Sequence, residues 1–445
     1  MRVSSRRRPG PTGDGDVLGM SQQDGSLLLY CLGIRHNGRP SARPPTLRAS
    51  DWIEILRQAG ENGIIPLLYH RLKTVVPAPE LPLSAMHDLR DTAVRSAAQS
   101  LQIRGELSRI LEDFRRHGIA VIVLKGGHLG QVVYESFALR TMVDLDVMVK
   151  QDELARAAGV LTELGYAPQY YNVEQVDYAR HHHIRPMAKP GGIRVEIHWS
   201  IAKPTAPFDI DVAAIWQRAC QAQIAGVDAL VLSPEDLILH LCLHASFSHQ
   251  FRFGLRACWD IHEVVRHHRD AIDWDQLVRR AQQWRIGKYV YLTLRLVREL
   301  LAADIPAAAI AALEPADFSS EVVSWARGCL FATESPSSLS PSMARLWTSR
   351  RLKVRVSVLL DTMCPSRVTM ARIYRTSPDS RRIYLYYLLR WADLLLRYAR
   401  DAWGLWRGDH RTHSELRTVS ERAALNDWLG CSPERKAVST RVSPR

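Results

Sequence analysis

Asp144 and Asp146 stand two residues apart in the apolar run 142–149, and strand periodicity puts both carboxylates on one face. Two acidic side chains at one edge of a sheet can hold hard divalent cations, which take oxygen ligands and bridge to substrate phosphates. An earlier apolar run, 120–124, stops at Lys125-Gly126-Gly127. Glycines at the end of a strand let the backbone approach a phosphate and offer it their N–H groups. The segment 193–199 supplies a third carboxylate. There Val195 and Ile197 alternate with Arg194, Glu196 and His198, so Glu196 faces away from the apolar side of a half-buried strand.

This set, Gly126-Gly127, then Asp144-Leu145-Asp146, then Glu196 on a later strand, resembles the nucleotidyltransferase superfamily of the polymerase-β type. The fuller pattern adds Leu124 and Lys125, Arg140 four residues before Asp144, and Val195-Glu196-Ile197-His198-Trp199. Over residues 51–301 it is similar to an uncharacterised bacterial family of nucleotidyltransferases. Gly127 stands where many superfamily members have serine, which removes a side-chain phosphate ligand. The interval from Gly127 to Asp144 is longer than usual and suggests an extra helical turn before the metal strand.

The resemblance implies an α+β fold, with a small mixed sheet, packed helices, flanking N-terminal helices and a C-terminal helical bundle. It implies a transferase that moves a nucleoside monophosphate from a nucleoside triphosphate to a hydroxyl of a protein, peptide or small molecule. Asp144, Asp146 and Glu196 would hold two Mg²⁺ ions, Glu196 could also take the acceptor's proton, and Gly126 and Gly127 would cradle the triphosphate. Lys125 and Arg140 are candidates for neutralising phosphate charge; the plainer readings are a solvated Lys125 and an Arg140 that partners carboxylates. His198 shares the face of Glu196 and is a secondary candidate.

The 445 residues suffice for two or three domains, and 46% hydrophobic with 24% charged residues is ordinary for a folded chain. The net charge of +13 is uneven: between Arg345 and Arg411 there are 15 Lys+Arg against 5 Asp+Glu. Such a surface faces polyanions or a membrane by default. The seven cysteines are scattered, without a C-x-x-C pair, and read as reduced thiols in a cytosolic protein. Arg2, Arg6, Arg7 and Arg8 are followed by Pro, Gly and Asp, which excludes a secretory signal; translation beginning at Met20 is an alternative start. No run of about 18 apolar residues predicts a membrane-spanning helix.

Patterning divides the chain into a flexible arm (1–45, with a short helix near 27–32), an N-terminal helical region (46–118), a nucleotidyltransferase core (119–230) and a helical domain (231–334). A basic amphipathic region (335–411) and a disordered tail (412–445) follow. In the second region Ser50 is expected to cap a helix that buries Ile53, Leu56 and Ala59. A long helix over 84–117 is expected to bury Leu89, Ala93, Leu101, Ile110, Leu111 and Phe114. Strands are expected at 120–124, 142–149, 166–171 and 192–199, with helices at 127–134 and 152–164. Ser233-Pro234-Glu235-Asp236 opens another helix, with Ser233 as N-cap.

Two histidine groups carry a metal reading beside a plainer one. His181-His182-His183 cannot all ligate one ion from consecutive positions, and a solvated loop is expected. His240 and His244, four apart and followed by His249, lack the Glu of H-E-x-x-H, and helical packing is expected. From 381 to 406, Tyr384, Leu388, Trp391, Leu395, Tyr398 and Trp403 are interleaved with Arg390, Arg397 and Arg400, and Arg407 follows. This helix suits an anionic membrane interface or packing on its own domain. Peripheral contact with the inner membrane face is therefore an alternative localisation. No recognisable RNA-binding motif occurs, so sequence-specific nucleic-acid binding is not expected. The competing function is a non-catalytic module that keeps the fold and holds an anionic membrane or nucleic acid through its basic region.

Overall fold

Alternation along two central strands decides which residues are sealed and which are offered to chemistry. In the computed structural model, which describes residues 25–34, 47–74, 82–169, 181–331, 362–374, 376, 380–406 and 410–430, these strands are β1 (Ile122–Val123) and β2 (Asp144–Met148). With β3 (Ala167–Pro168), β4 (Met187–Ala188), β5 (Arg194–His198), β6 (Cys220–Ile224) and β7 (Val227–Val231) they form a seven-stranded mixed sheet, ordered β3-β4-β5-β2-β1-β7-β6. β2 runs parallel to β5 and β1 parallel to β7; the other neighbouring pairs are antiparallel.

The helices are α1 (Ser26–Cys31), α2 (Ala49–Glu61), α3 (Ile65–Thr74), α4 (Leu83–Arg116), α5 (Lys125–His128), α6 (Leu154–Glu163), α7 (Val212–Arg218) and α8 (Pro234–Leu243). They continue with α9 (Leu255–His267), α10 (Trp274–Gln283), α11 (Gly287–Leu301), α12 (Ala307–Leu313), α13 (Ser320–Phe331), α14 (Arg367–Ile373), α15 (Ile383–Trp406) and α16 (His410–Leu429). Mixed sheet and helices make the fold class α+β.

Two cores result, one on each face of the sheet. Val121 and Val123, Leu145, Val147 and Val149, and Val195 and Ile197 pack with Leu107, Leu111 and Phe114 of α4 and Leu161 of α6. The alternate residues Ile122, Leu124 and Met148 join α1, α2, α3 and the bundle of α8 to α13. The residues expected as one N-terminal helical region therefore serve both cores. Because Asp144 and Asp146 alternate with Leu145 and Val147, their strand positions belong to the bundle side. The interval before β2 holds a π-helical turn (Leu129–Val133) and a 3-10 turn (Phe137–Leu139), the extra helical turn that the spacing suggested.

Several expectations shift. α2 begins at Ala49, and Asp51, not Ser50, closes its start by accepting from the Arg48 amide at 2.8 Å. Its buried face is Trp52, Ile55 and Ala59, while Ile53 is 70% exposed. On α4, Ile103 and Leu107 are buried and Leu101 faces solvent. The β6–β7 hairpin was not expected; its signal is Ala225-Gly226, both at positive φ (52° and 87°), the two-residue turn whose twist suits a hairpin. Ser233 caps α8 as expected, accepting from Asp236 N at 3.3 Å, but Asp236 is fully buried against Arg218 and Arg280.

The ends of the chain differ most. α1 lies in the bundle core rather than in a flexible arm, with Leu28 and Leu29 sealed from solvent. Residues 412–429, expected in a disordered tail, lie in α16, where Leu425 and Leu429 are fully buried and Tyr289 Oη donates to the Leu429 carbonyl at 2.7 Å. On α15, Trp391 Nε1 donates to the Met363 carbonyl at 2.7 Å while Tyr384, Leu385, Leu388 and Leu389 are exposed. Arg407, the opening residues 335–341 of the basic amphipathic region, and residues 1–24 and 431–445 lie outside the described residues. Among the described residues no helix is long and apolar enough to cross a membrane, and the described cysteines are free thiols. Leu425→Ala is expected to cost about 2–5 kcal/mol of stability, the range for emptying a sealed leucine site, read as a lowered urea midpoint with an unchanged slope.

Candidate active site

The acidic centre is assembled by strand register. Asp146 of β2 pairs with Glu196 of β5, and Met148 with His198, so the three polar residues meet on the bundle face. Among the described residues, Asp146, Glu196 and His198 form a group whose ligand atoms all lie within 4.8 Å of one another. Asp144 is outside that group: its carboxylate takes Arg194 Nη2 at 3.3 Å, the residue opposite it in the register.

Asp146 is only 4% exposed and needs compensation. Lys125 Nζ donates to its Oδ1 at 2.8 Å, and His198 Nε2 lies 2.9 Å from the same oxygen. Burial would push this carboxyl up, but the Lys125 charge and the His198 contact together hold it well below the ordinary range. Burial also takes the His198 imidazole down to about 4. Glu196 goes the other way: burial, then the Asp146 charge, raises it.

Lys125 reaches Asp146 from a strained place. Its φ is 42°, left-handed backbone that non-glycine residues seldom adopt, at the opening of α5. The plainer expectation of a solvated lysine is thus replaced by a buried ion pair. Gly126 and Gly127 are buried, and protein atoms fill the space their missing side chains leave. A Cβ at 126 would lie 2.5 Å from Arg140 Nη1 and 2.6 Å from Met142 Sδ; one at 127 would lie 2.8 Å from Val123 Cγ1. Arg140 is held by Asp260 of α9, Nη2 to Oδ2 at 2.9 Å, and Tyr134 Oη donates to the same carboxylate at 2.7 Å. Its guanidinium ties the sheet to the bundle.

Histidines enclose the centre, which the sequence reading did not anticipate. The 181–183 run is solvated only at His181; His182 and His183 are half-buried. The Trp199 amide donates to the His182 carbonyl at 3.0 Å, His183 bridges to His198, and the His182 and His183 rings pack 5.2 and 5.1 Å from that of His198. From the bundle, α8 ends at Leu243 and a π-helical turn (His244–Ser248) follows, and the His244 ring lies tilted against that of His249 with centroids 4.5 Å apart. The charges acting on His240, His244 and His249 include Lys125 and Asp146. The available signal was the alternation of Glu196 with His198; the approach of 182–183 and of α8 needed the fold.

Two carboxylates and an imidazole are a donor set that suits a divalent cation. Glu196, raised first by burial and then by the Asp146 charge, lies beside a second carboxylate whose repulsion a cation would relieve. The residues present therefore fit a metal ion.

Residues 48–302 match the family described as uncharacterised nucleotidyltransferase, more than half of the chain, and the protein belongs to that family. It is a nucleotidyltransferase by family. No curated protein matches the chain significantly. Among solved structures, it is similar to the antibiotic-resistance factor ANT(2″)-Ia at 14% identity and a TM-score of 0.30, covering 45% of this chain and 97% of that one. It is likewise similar to an antigenic nucleotidyltransferase-like protein from Paracoccidioides brasiliensis at 16% identity and a TM-score of 0.31, covering 47% of this chain and 96% of the other. Similarity at that level transfers no residue roles.

The sealed histidines impose a pH dependence. Burial pushes both His128 and His240 down to about 3, so they stay neutral in the fold while the unfolded chain protonates them below about 6.5. Their contribution is present above that pH and lost as pH falls toward 3. Between pH 7 and pH 5 stability should drop by about 2 kcal/mol per histidine, and in His128→Asn/His240→Asn the pH slope of the melting temperature should flatten.

Proposed function

We propose that the protein is a Mg²⁺-dependent nucleotidyltransferase that joins the nucleoside monophosphate of a nucleoside triphosphate to a hydroxyl of a protein, peptide or small-molecule acceptor. The observation that carries this is the buried Asp146–Glu196–His198 group with Lys125 on Asp146. In the reaction an acceptor oxygen bonds to the α-phosphorus, the bond to the β-phosphate oxygen breaks, and pyrophosphate leaves. A bound Mg²⁺ would neutralise charge developing on the attacking and leaving oxygens.

The chain's own residues do the rest. Asp146 and Glu196 would hold the metal, with the His198 imidazole beside them. Asp144, two residues along the same strand, would join when Arg194 releases it toward a phosphate. Glu196, raised from its ordinary value by burial and by the Asp146 charge, is suited to take the acceptor's proton. The backbone amides of Gly126 and Gly127 would face the triphosphate at the opening of α5. Lys125 exchanges partners in this reading: its ammonium neutralises Asp146 in the empty site and passes to a phosphate when a metal takes over the carboxylate. Arg140, held by Asp260, keeps the sheet against the bundle.

Titrating Mg²⁺ with each of the four triphosphates, and following thermal stability, should reveal one nucleotide whose stabilisation needs the metal. Asp146→Asn should abolish that response and lower turnover by at least about 10²–10³-fold, while the fold survives. A triphosphate response unchanged in Asp146→Asn would refute the site. Lys125→Met tests the exchange. It leaves a buried carboxylate unpaired, so the metal-free protein should lose about 3–5 kcal/mol, and Mg²⁺ should restore more stability than it adds to the wild type.

A further inference from the structure

One member of the acidic centre is not acidic. His198 Nε2 lies 2.9 Å from Asp146 Oδ1 and 3.7 Å from Glu196 Oε2, so a single nitrogen faces both carboxylates. Of the neighbouring imidazoles at 182, 183 and 198, His198 alone belongs to the group whose ligand atoms all lie within 4.8 Å of one another. Oxygen and nitrogen ligands held at roughly 2.0–2.2 Å from a common ion stand about 3–3.5 Å from one another in octahedral or tetrahedral geometry. The two separations at His198 are close to that spacing.

This imidazole is fixed in place. On one side of its strand, Met148 stands opposite His198 in the β2 register and the Val149 amide donates to the His198 carbonyl at 3.0 Å. On the other side His183 bridges to it, and the Ile184 amide donates to the Ile197 carbonyl at 2.9 Å. The ring itself is buried, with the rings of His182 and His183 packed 5.2 and 5.1 Å from it. A backbone paired on both sides and close-packed rings leave Nε2 little room to turn away from the carboxylates.

Two orphaned nitrogens mark the change that an ion would bring. A carboxylate only accepts, so His198 Nε2 carries the imidazole proton toward Asp146, and Nδ1 is left as a buried lone pair without a partner among the described residues. Nδ1 of His182, on the adjacent ring, is buried without a partner as well. Buried polar atoms in that condition are uncommon. To bind an ion, Nε2 gives up its proton and Nδ1 takes one, which turns Nδ1 from acceptor to donor and makes a lone pair on His182 its available partner. Metal-ligating imidazoles are oriented in this way, through the ring nitrogen that faces away from the ion. His183 is committed elsewhere, its Nδ1 donating to the Ile184 carbonyl at 2.8 Å.

We propose that His198 Nε2 is a metal ligand, and that the Asp146–Glu196–His198 group takes a late first-row dication of the Co²⁺ or Zn²⁺ kind in preference to Mg²⁺. Mg²⁺ demands near-ideal octahedral geometry and favours oxygen, whereas imidazole suits the later ions, whose affinity for mixed nitrogen and oxygen sites rises along the series. Lys125, which holds the same Asp146 oxygen, gives way to the ion. The assignment rests on the acidic centre of the nucleotidyl-transfer reading and adds a resident ion to it, distinct from the Mg²⁺ that a triphosphate brings.

The test titrates Co²⁺, a spectroscopic counterpart of Zn²⁺, into the full chain after treatment with a chelator, and follows visible absorption and proton NMR. One solvent-exchangeable imidazole N–H signal, from His198 Nδ1, should appear far outside the diamagnetic range, and Mg²⁺ in about tenfold excess should leave the Co²⁺ bound. His198→Asn should remove that signal and weaken Co²⁺ at least about tenfold, while Mg²⁺ affinity changes little. His182→Phe, which keeps a ring in place, should weaken Co²⁺ about tenfold and retain the signal. Displacement of Co²⁺ by equimolar Mg²⁺, absence of the exchangeable signal, or a signal that persists in His198→Asn or in Asp146→Asn overturns the proposal. The competition and the signal are read on wild type, so they decide even where His198→Asn fails to fold. If no triphosphate stabilises the protein while Co²⁺ still binds through His198, the transfer reading fails and the nitrogen-bearing metal site stands.

Discussion

A carboxylate sealed inside a protein has to be matched by positive charge or lose its own, and Asp146 is where this chain meets that requirement. Lys125 and His198 converge on one of its oxygens from a helical turn and from a neighbouring strand. The consequences spread outward. Lys125 delivers its ammonium from a left-handed backbone, so the turn after β1 is strained at the residue that serves the next strand. His198 can do so only because β5 runs parallel to β2 in the register that sets Asp146 against Glu196. A slip by one residue would turn Val195 and Ile197 toward the bundle and drive Glu196 and His198 into the apolar core on α4.

The bundle supplies the second half of the site. The Arg140–Asp260 pair and Tyr134 join the turn before β2 to α9, and the rings of His182 and His183 pack against that of His198. Chemistry placed between a sheet and a bundle is shielded from water, where charge interactions are stronger, and it is reached through the gap between them. A separate cavity beside Arg256 is bounded by the end of α2, the loop after the π-turn and the end of α13. The N-terminal helices and α16, far from the acidic strands in sequence, shape or support its walls through the shared core.

Much of the core and its carboxylates was legible in the residues. Alternation alone put Asp144 with Asp146, and Glu196 with His198, on the polar faces of their strands, and the same alternation predicted the apolar faces that α4 and α6 cover. Helical spacing was less exact. It placed Leu101 and Ile53 inward, although their neighbours Ile103 and Ile55 do the packing, because a stripe of apolar residues does not say which edge of it meets a partner. The β6–β7 hairpin was carried by Ala225-Gly226, a turn whose positive φ at alanine no composition rule announces. The histidine runs were legible as residue types, and their placement was not.

By itself the sequence determined the chemistry that could occur: strand alternation is a two-residue rule, so which side chains share a face follows from local order. The family match over 48–302 belongs to the same level, since it is read from the order of residues alone. Tertiary structure decided which of those groups meet. It put Asp144 on Arg194, Arg140 on Asp260 and Lys125 on Asp146, and it drew α1 and α16 into one core with the bundle. Those outcomes depend on register between distant strands and on the burial of charges, both set by the whole packed chain. No local window of residues contains the distances on which Coulomb energy and desolvation act.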